Sequence, residues 1–139
     1  MRQYFSSVSV STRGPAPYPI TRDVERVVEK SGVLDGLVTC VIRHTSASLL
    51  IQENADPDVL RDLSDFLARV VPRGSDLYRH NAEGPDDMPS HIRCMLTQTT
   101  LGIPLRRRHL LLGRWQGIYL FEHRDRPHER EVAIHIIGE

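Results

Sequence analysis

The sequence predicts an α+β domain whose strands pair mainly antiparallel, and three observations predict it. Helical and strand-like periods are interspersed without a regular strand-helix-strand rhythm. The last strand candidates follow one another closely enough for antiparallel pairing. The chain has 139 residues, enough for one core and far short of the roughly 250 that a closed α/β barrel takes. A single domain over 1–139 is therefore expected.

Residues Tyr4 to Thr12 alternate, with Val8 and Val10 on one face and small hydroxyls on the other, as a half-buried strand does. Gly14, Pro15, Pro17 and Pro19 break that segment. Thr21 is placed to cap a helix with Val24, Val27 and Val28 on one face and Ser31-Gly32 as its stop. Leu37 to Arg43 is rich in β-branched residues and reads as a strand, and Ser48 to Gln52 as another. Asp56-Pro57, a side-chain cap followed by proline at the first helical position, opens the clearest helix, which runs to Val71. Its apolar residues Leu60, Leu63, Phe66, Leu67, Val70 and Val71 recur at three-and-four spacing and are expected to face the core. Arg73 to Met88 shows no period and reads as a long loop, the kind that is usually functional or disordered. Pro89-Ser90 then starts a helix with Ile92, Met95 and Leu96 facing inward, ended by Gly102. Ile103 to Leu105 extending into His109 to Leu112, Gly117 to Phe121, and Val132 to Ile137 are the last strand candidates.

Composition narrows the function. Lys+Arg and Asp+Glu both number 18, so the formal charge is zero and a mainly electrostatic nucleic-acid binder is not expected. The apolar runs are far shorter than the 18 or so residues of a membrane span, and the first residues lack the apolar core of a secretion signal. A cytoplasmic protein without membrane contact is the expectation. Cys40 and Cys94 lie in apolar stretches without a C-x-x-C spacing and read as buried free thiols.

Polar residues concentrate in four strings. His44-Thr45-Ser46-Ala47-Ser48 follows a strand, where a sheet can present side chains to a cleft, although a hydroxyl-rich turn needs no function. In Glu53-Asn54-Ala55-Asp56-Pro57-Asp58, Asp56 has a structural task as helix cap, and Asp62 lies one turn beyond Asp58. The densest string runs from Tyr78 through Arg79, His80, Asn81, Glu83, Asp86 and Asp87 to His91, with Asp87 and His91 four apart where a helix begins. Imidazoles with a carboxylate can hold a divalent metal or transfer a proton. Finally, Gly113-Arg114-Trp115-Gln116-Gly117 holds the one tryptophan in a turn, either as packing or as a wall against a flat ligand.

Together the strings resemble the YjbQ family, described as secondary thiamine-phosphate synthase enzymes. The likeness rests on His44-Thr45-Ser46-Ala47, Glu53-Asn54-Ala55-Asp56-Pro57, Tyr78-Arg79-His80-Asn81 with Glu83 to His91, and Trp115-Gln116-Gly117-Ile118-Tyr119 with Glu122-His123-Arg124-Asp125. It covers nearly the whole chain. Departures include Thr97 in place of a glycine, Arg114 in the tryptophan turn, and Arg107-Arg108 where the family tends to have Asn-Gly. The resemblance implies a β-sandwich-like fold with flanking helices and assembly as a homotrimer.

The activity it implies joins hydroxymethylpyrimidine diphosphate to thiazole phosphate and releases diphosphate, so a small phosphorylated substrate is the expected partner. That chemistry needs the leaving diphosphate neutralised by a divalent metal and by arginine forks, with an aromatic face against the pyrimidine cation. The alternatives are a metal-dependent hydrolase with a histidine-carboxylate site and a non-catalytic trimeric ligand-binding module. The catalytic candidates are His44, Asp62, Glu83, Asp87 and His91. His44, His80 and His91 are the candidate ligands of a divalent metal, Mg²⁺ or Zn²⁺. Substrate contacts are expected from Thr45, Ser46, Asn54, Arg79, Asn81, Arg93, Trp115, Gln116, Glu122 and Arg124. Strand alternation puts Glu122 and Arg124 on one face and His123 on the other.

Overall fold

The computed structural model describes residues 1–139, the side chain at position 75 excepted. In chain order the elements are β1 (Arg2–Arg13), β2 (Ala16–Pro19), α1 (Thr21–Ser31), β3 (Gly36–Ile42), β4 (Ala47–Glu53), α2 (Pro57–Val70), α3 (Asp87–Leu96), β5 (Thr100–Arg106), β6 (His109–Leu110), β7 (Gln116–Glu122) and β8 (Pro127–Gly138), with a 3₁₀ turn over 75–77. They form a mixed α+β fold of two antiparallel sheets, one ordered β1-β8-β3-β5-β6 and the other β2-β7-β4.

Alternation in the strands builds the core. Val38, Cys40 and Ile42 of β3, Leu101, Ile103 and Leu105 of β5, and Val132, Ile134 and Ile136 of β8 are all buried on one face of the larger sheet. They join Leu49, Ile118 and Leu120 from the smaller sheet and Val24, Val27 and Val28 of α1 in one apolar cluster. Each such side chain contributes about 1.5–3 kcal/mol by leaving water. Both cysteines are buried free thiols, and burial pushes Cys40 up to about 11 and Cys94 to about 12. Gly36 and Gly138 lie opposite each other where β3 crosses β8, and a Cβ on either would meet the facing backbone at 2.1 or 2.0 Å.

The structure differs from the pattern in five places, the first being that the strand expected from Ile103 into Leu112 is a hairpin of β5 and β6. The proline segment is a strand, β2, tolerated because it pairs only with β7 at a sheet edge. Thr21 is not the helix cap: Ile20 takes that position, and the Thr21 hydroxyl accepts the Ile118 N–H at 2.9 Å, tying α1 to β7. The third helix starts at Asp87 and ends at Leu96, burying Asp87, Pro89, Ser90 and Cys94 while Met95 and Leu96 face solvent. Capping of α2 by Asp56 holds, with the Asp58 N–H at 2.9 Å, but α2 buries no residue. Phe66 and Val70 are 52% and 51% exposed, and only Val71 beyond its end is buried. Periodicity located the apolar face without telling what covers it.

Candidate metal centre

Loop and helix start combine to build the centre. Gly84 adopts φ 105, a left-handed conformation that lets the chain turn into α3. Asp87 and His91 then project from one face of the first helical turns, and His80 folds back from the preceding loop. One ligand atom from each of these three residues lies within 4.8 Å of the other two. Asp87 is buried, while His80 and His91 are partly open to solvent.

Hydrogen bonds fix the ring states. His91 Nδ1 donates to the Thr45 carbonyl at 2.8 Å, because a carbonyl only accepts. In the neutral ring that leaves a lone pair on Nε2, which sits 3.3 Å from Asp87 Oδ2. Two acceptors at that separation repel unless a proton or a cation lies between them. Two ligands on a tetrahedral ion with bonds of about 2.0–2.1 Å are also roughly 3.3 Å apart. His80 Nε2 is hydrogen-bonded to the same carboxylate oxygen.

Arg124 locks the carboxylates in place. Its Nη1 donates to Asp87 Oδ1 at 2.5 Å, its Nε to Asp86 Oδ2 at 2.9 Å and its Nη2 to the Glu83 carbonyl at 3.1 Å. Asp86 also accepts the Asp125 N–H at 2.9 Å. Burial works against ionisation of Asp87, yet the His80 hydrogen bond and the Arg124 charge outweigh it and hold the carboxyl below the usual range. Asp86 is lowered likewise, its burial outweighed by the Asp125 N–H and Arg124.

Beside this centre lies a sealed polar cluster. Arg130 clasps Glu122 through Nε to Oε1 at 2.8 Å and Nη2 to Oε2 at 2.6 Å, and the Thr12 hydroxyl donates to Oε1 at 2.6 Å. Arg130 Nη2 also reaches the Ser46 hydroxyl at 2.9 Å. Burial opposes the Glu122 charge, but Arg130, Thr12 and the Arg124 N–H keep it ionised. His123 Nε2 lies 2.9 Å from the Ser48 hydroxyl, and Thr97 donates to that hydroxyl at 2.7 Å. Burial, helped by the Arg93 charge, drops His123 to about 4.

The expected site residues therefore divide. His80, Asp87 and His91 converge with the Thr45 carbonyl and Arg124, while Asn81 donates to the Tyr78 carbonyl at 3.3 Å nearby. His44 is outside this three-residue group: its Nε2 accepts the Glu131 N–H at 2.8 Å, and burial and the Arg130 charge lower its pKa. Ser46 and Glu122 belong to the sealed cluster. Glu122 and His123 are both buried, and the Glu122 and Arg124 side chains serve different clusters, which corrects the strand alternation expected at the end of β7. Arg93 turns inward to the Val71 carbonyl at 3.3 Å and leaves a buried Nε without a partner. Asp62 is exposed on α2, and Glu83 and Arg79 are exposed on the loop.

Asn54, Trp115 and Gln116 lie elsewhere. The β4–β7 register puts Ala47 opposite Glu122 at one end and Glu53 opposite Gln116 at the other, a separation of about 20 Å over six residue steps. The Asn54 N–H donates to the Trp115 carbonyl at 2.9 Å, and the half-exposed Trp115 ring carries the Arg114 guanidinium over its face. Within one chain, Trp115 does not wall the histidine-carboxylate centre.

Five residues of the sealed cluster were not among the site residues expected from sequence: Thr12, Ser48, Thr97, His123 and Arg130. Arg130 was legible, because it shares the inward parity of Val132, Ile134 and Ile136.

Fold and site together define an α+β protein with an open histidine-carboxylate centre. The chain belongs to the UPF0047 YjbQ-like family, which matches residues 6–139. A UPF0047 protein of Synechocystis is 51% identical over 99% of this chain and 94% of its own length. The UPF0047 protein YjbQ of Escherichia coli O157:H7 is 35% identical over 98% and 99%. Among solved structures, a YbjQ-like protein of unknown function from Sulfolobus solfataricus superimposes with a TM-score of 0.89 at 26% identity over 99% of both chains. A conserved hypothetical protein from Thermus thermophilus gives 0.85 at 34% identity, over 95% of this chain and 99% of that one. No helix among the described residues is long and apolar enough to cross a membrane.

Proposed function

We propose that the chain is a metal-dependent enzyme acting on a small phosphorylated molecule, with His80, Asp87 and His91 holding a divalent cation. The observation that carries this is the convergence of the three side chains: the His91 Nδ1–H is spent on the Thr45 carbonyl, which aims Nε2 at Asp87 Oδ2, 3.3 Å away, and His80 Nε2 meets the same oxygen. Two imidazoles and a carboxylate favour a transition ion such as Zn²⁺ over Mg²⁺. When bound, the cation supplies a polarised water or a Lewis acid for the substrate oxygen. The chain's residues do the rest. Arg124 keeps Asp87 charged and aimed, the Thr45 carbonyl fixes the His91 tautomer, and the partly exposed His80 leaves one side open to substrate. Hydrolysis fits this donor set best.

The transferase reading, thiamine-phosphate synthesis, draws its support from the resemblance, and it requires an aromatic wall, whereas Trp115 of a single chain lies next to the Glu53–Gln116 end of the β4–β7 ladder, about 20 Å along the strands from the Ala47–Glu122 end. A homotrimer, which the resemblance also implies, is supported by the exposed Phe66 and Val70.

Titration of the apo protein with Co²⁺, read by its visible absorption, tests the centre. One equivalent is expected to bind the natural sequence, with binding lost in Asp87→Asn and His91→Ala. Hydrolysis of p-nitrophenyl phosphate and formation of thiamine phosphate, each with and without Zn²⁺, then separate the two reactions. Absence of Co²⁺ binding by the natural sequence overturns the reading.

A further inference from the structure

The hairpin between β5 and β6 turns on Arg107 and Arg108, both left-handed at φ 50 and 65. A two-residue hairpin turn of this hand favours Asn-Gly, and residues with a Cβ adopt it at a cost. The backbone is pinned independently of the arginine side chains, since the Arg107 N–H donates to the Asp35 carboxylate at 2.8 Å and the Arg108 N–H to the Leu34 carbonyl at 2.9 Å. The backbone of the turn is therefore held without help from the arginine side chains.

Those side chains border a cavity of about 570 Å³, together with His109 and Leu110 from the hairpin and Glu25 and Glu29 from α1. The volume suits a small molecule. Glu25 and Glu29 are four apart and share a helix face. Among the described residues, none of the four charged side chains forms an ion pair or a hydrogen bond, although two arginines and two glutamates border one space. Opposite charges thus border one space without pairing with each other.

We propose that this cavity binds a small dipolar molecule with a phosphate group at one end and an ammonium group at the other. Arg107 and Arg108 offer planar forks that match phosphate oxygens, and Glu25 and Glu29 offer carboxylates to the ammonium. A simple anion meets repulsion from the glutamates, and a simple cation meets it from the arginines. The site lies at the end of β3 beside Gly36, which pairs with Leu105, whereas His44 follows the other end of that strand. It is thus separate from the histidine-carboxylate centre and does not depend on what that centre does.

The test is an NMR titration of the full ¹⁵N-labelled chain with phosphoethanolamine, inorganic phosphate and ethanolamine in turn. Amide shifts confined to 25–29 and 107–110 are expected, with phosphoethanolamine binding at least about tenfold tighter than either half. The double variant Arg107→Asn/Arg108→Gly relieves the turn, so it is expected to raise Tm while weakening binding by about tenfold or more. The pair Glu25→Gln/Glu29→Gln leaves the turn intact and is expected to remove the preference for phosphoethanolamine over inorganic phosphate. Shifts absent from these segments, equal affinity for phosphate alone, or undiminished binding by the hairpin variant would each overturn the proposal.

Discussion

Glu122 and Asp87 are both buried carboxylates, 0% and 2% exposed, and each is held by an arginine. Around Glu122 the partners come from β1, β8 and the turn after β7 and close the cluster from within. Around Asp87 two imidazoles crowd the same oxygen from the solvent side. The difference teaches how to tell a structural ion pair from a site. Where every acceptor meets a donor of the chain, the charges hold the fold; where imidazoles converge on one carboxylate oxygen at a face open to solvent, a proton or a cation from outside completes the arrangement.

The largest expected effect breaks the sealed side. Glu122→Gln leaves Arg130 as a buried charge without its counterion and is expected to destabilise the fold by about 3–5 kcal/mol in urea denaturation. A loss below about 1 kcal/mol would show that the cluster is wetter than its geometry says.

Next comes the pH dependence of the same cluster. Burial drops His123 to a pKa of about 4 in the folded chain, against about 6.5 for a free imidazole, so the unfolded chain binds more protons between the two. Its contribution to stability is present above about pH 6.5 and is lost as pH falls toward 4. The loss amounts to about 3 kcal/mol. Denaturation midpoints at pH 7 and pH 4.5 measure it, and His123→Gln is expected to flatten the difference.

On the open side, Arg124→Lys keeps the charge but not the fork that clasps Asp86 and Asp87. Co²⁺ affinity is expected to fall about 10–100-fold while the folded chain persists. Unchanged affinity would show that Asp87 is positioned by its helix alone.

The smallest effect lies outside both clusters. Phe66→Ser is expected to change the stability of the isolated chain by less than about 0.5 kcal/mol, since Phe66 is exposed on α2. A larger, concentration-dependent loss would mean that the α2 face is covered by another copy.

The centre was legible where spacing carries geometry. Asp87 and His91, four apart at a helix start, were bound to share a face. His80 was legible only as a member of a dense string, because no local period says how a loop folds back onto a helix. The pairing of His44 with the Glu131 N–H depends on β-strand register across 87 residues, which no short pattern encodes. Trp115 and Asn54 were grouped with the site by chemistry, and the register of β4 on β7 sends them to the other end. For the fold, strands with strict alternation were readable, whereas the edge strand β2 was hidden by prolines that an edge tolerates.

The pairing of β1 with β8, twelve residues on each side, joins the first and last strands of the chain from Arg2 opposite Gly138 to Arg13 opposite Pro127. The larger sheet thus stays incomplete until residues 127–138 have left the ribosome. Folding waits on a contact of maximal sequence separation, which places this chain among the slower folders of its size, in milliseconds to seconds. The same adjacency brings residues 2 and 138 side by side, so joining them through a short linker and opening the chain at an exposed loop would leave the sheet order intact.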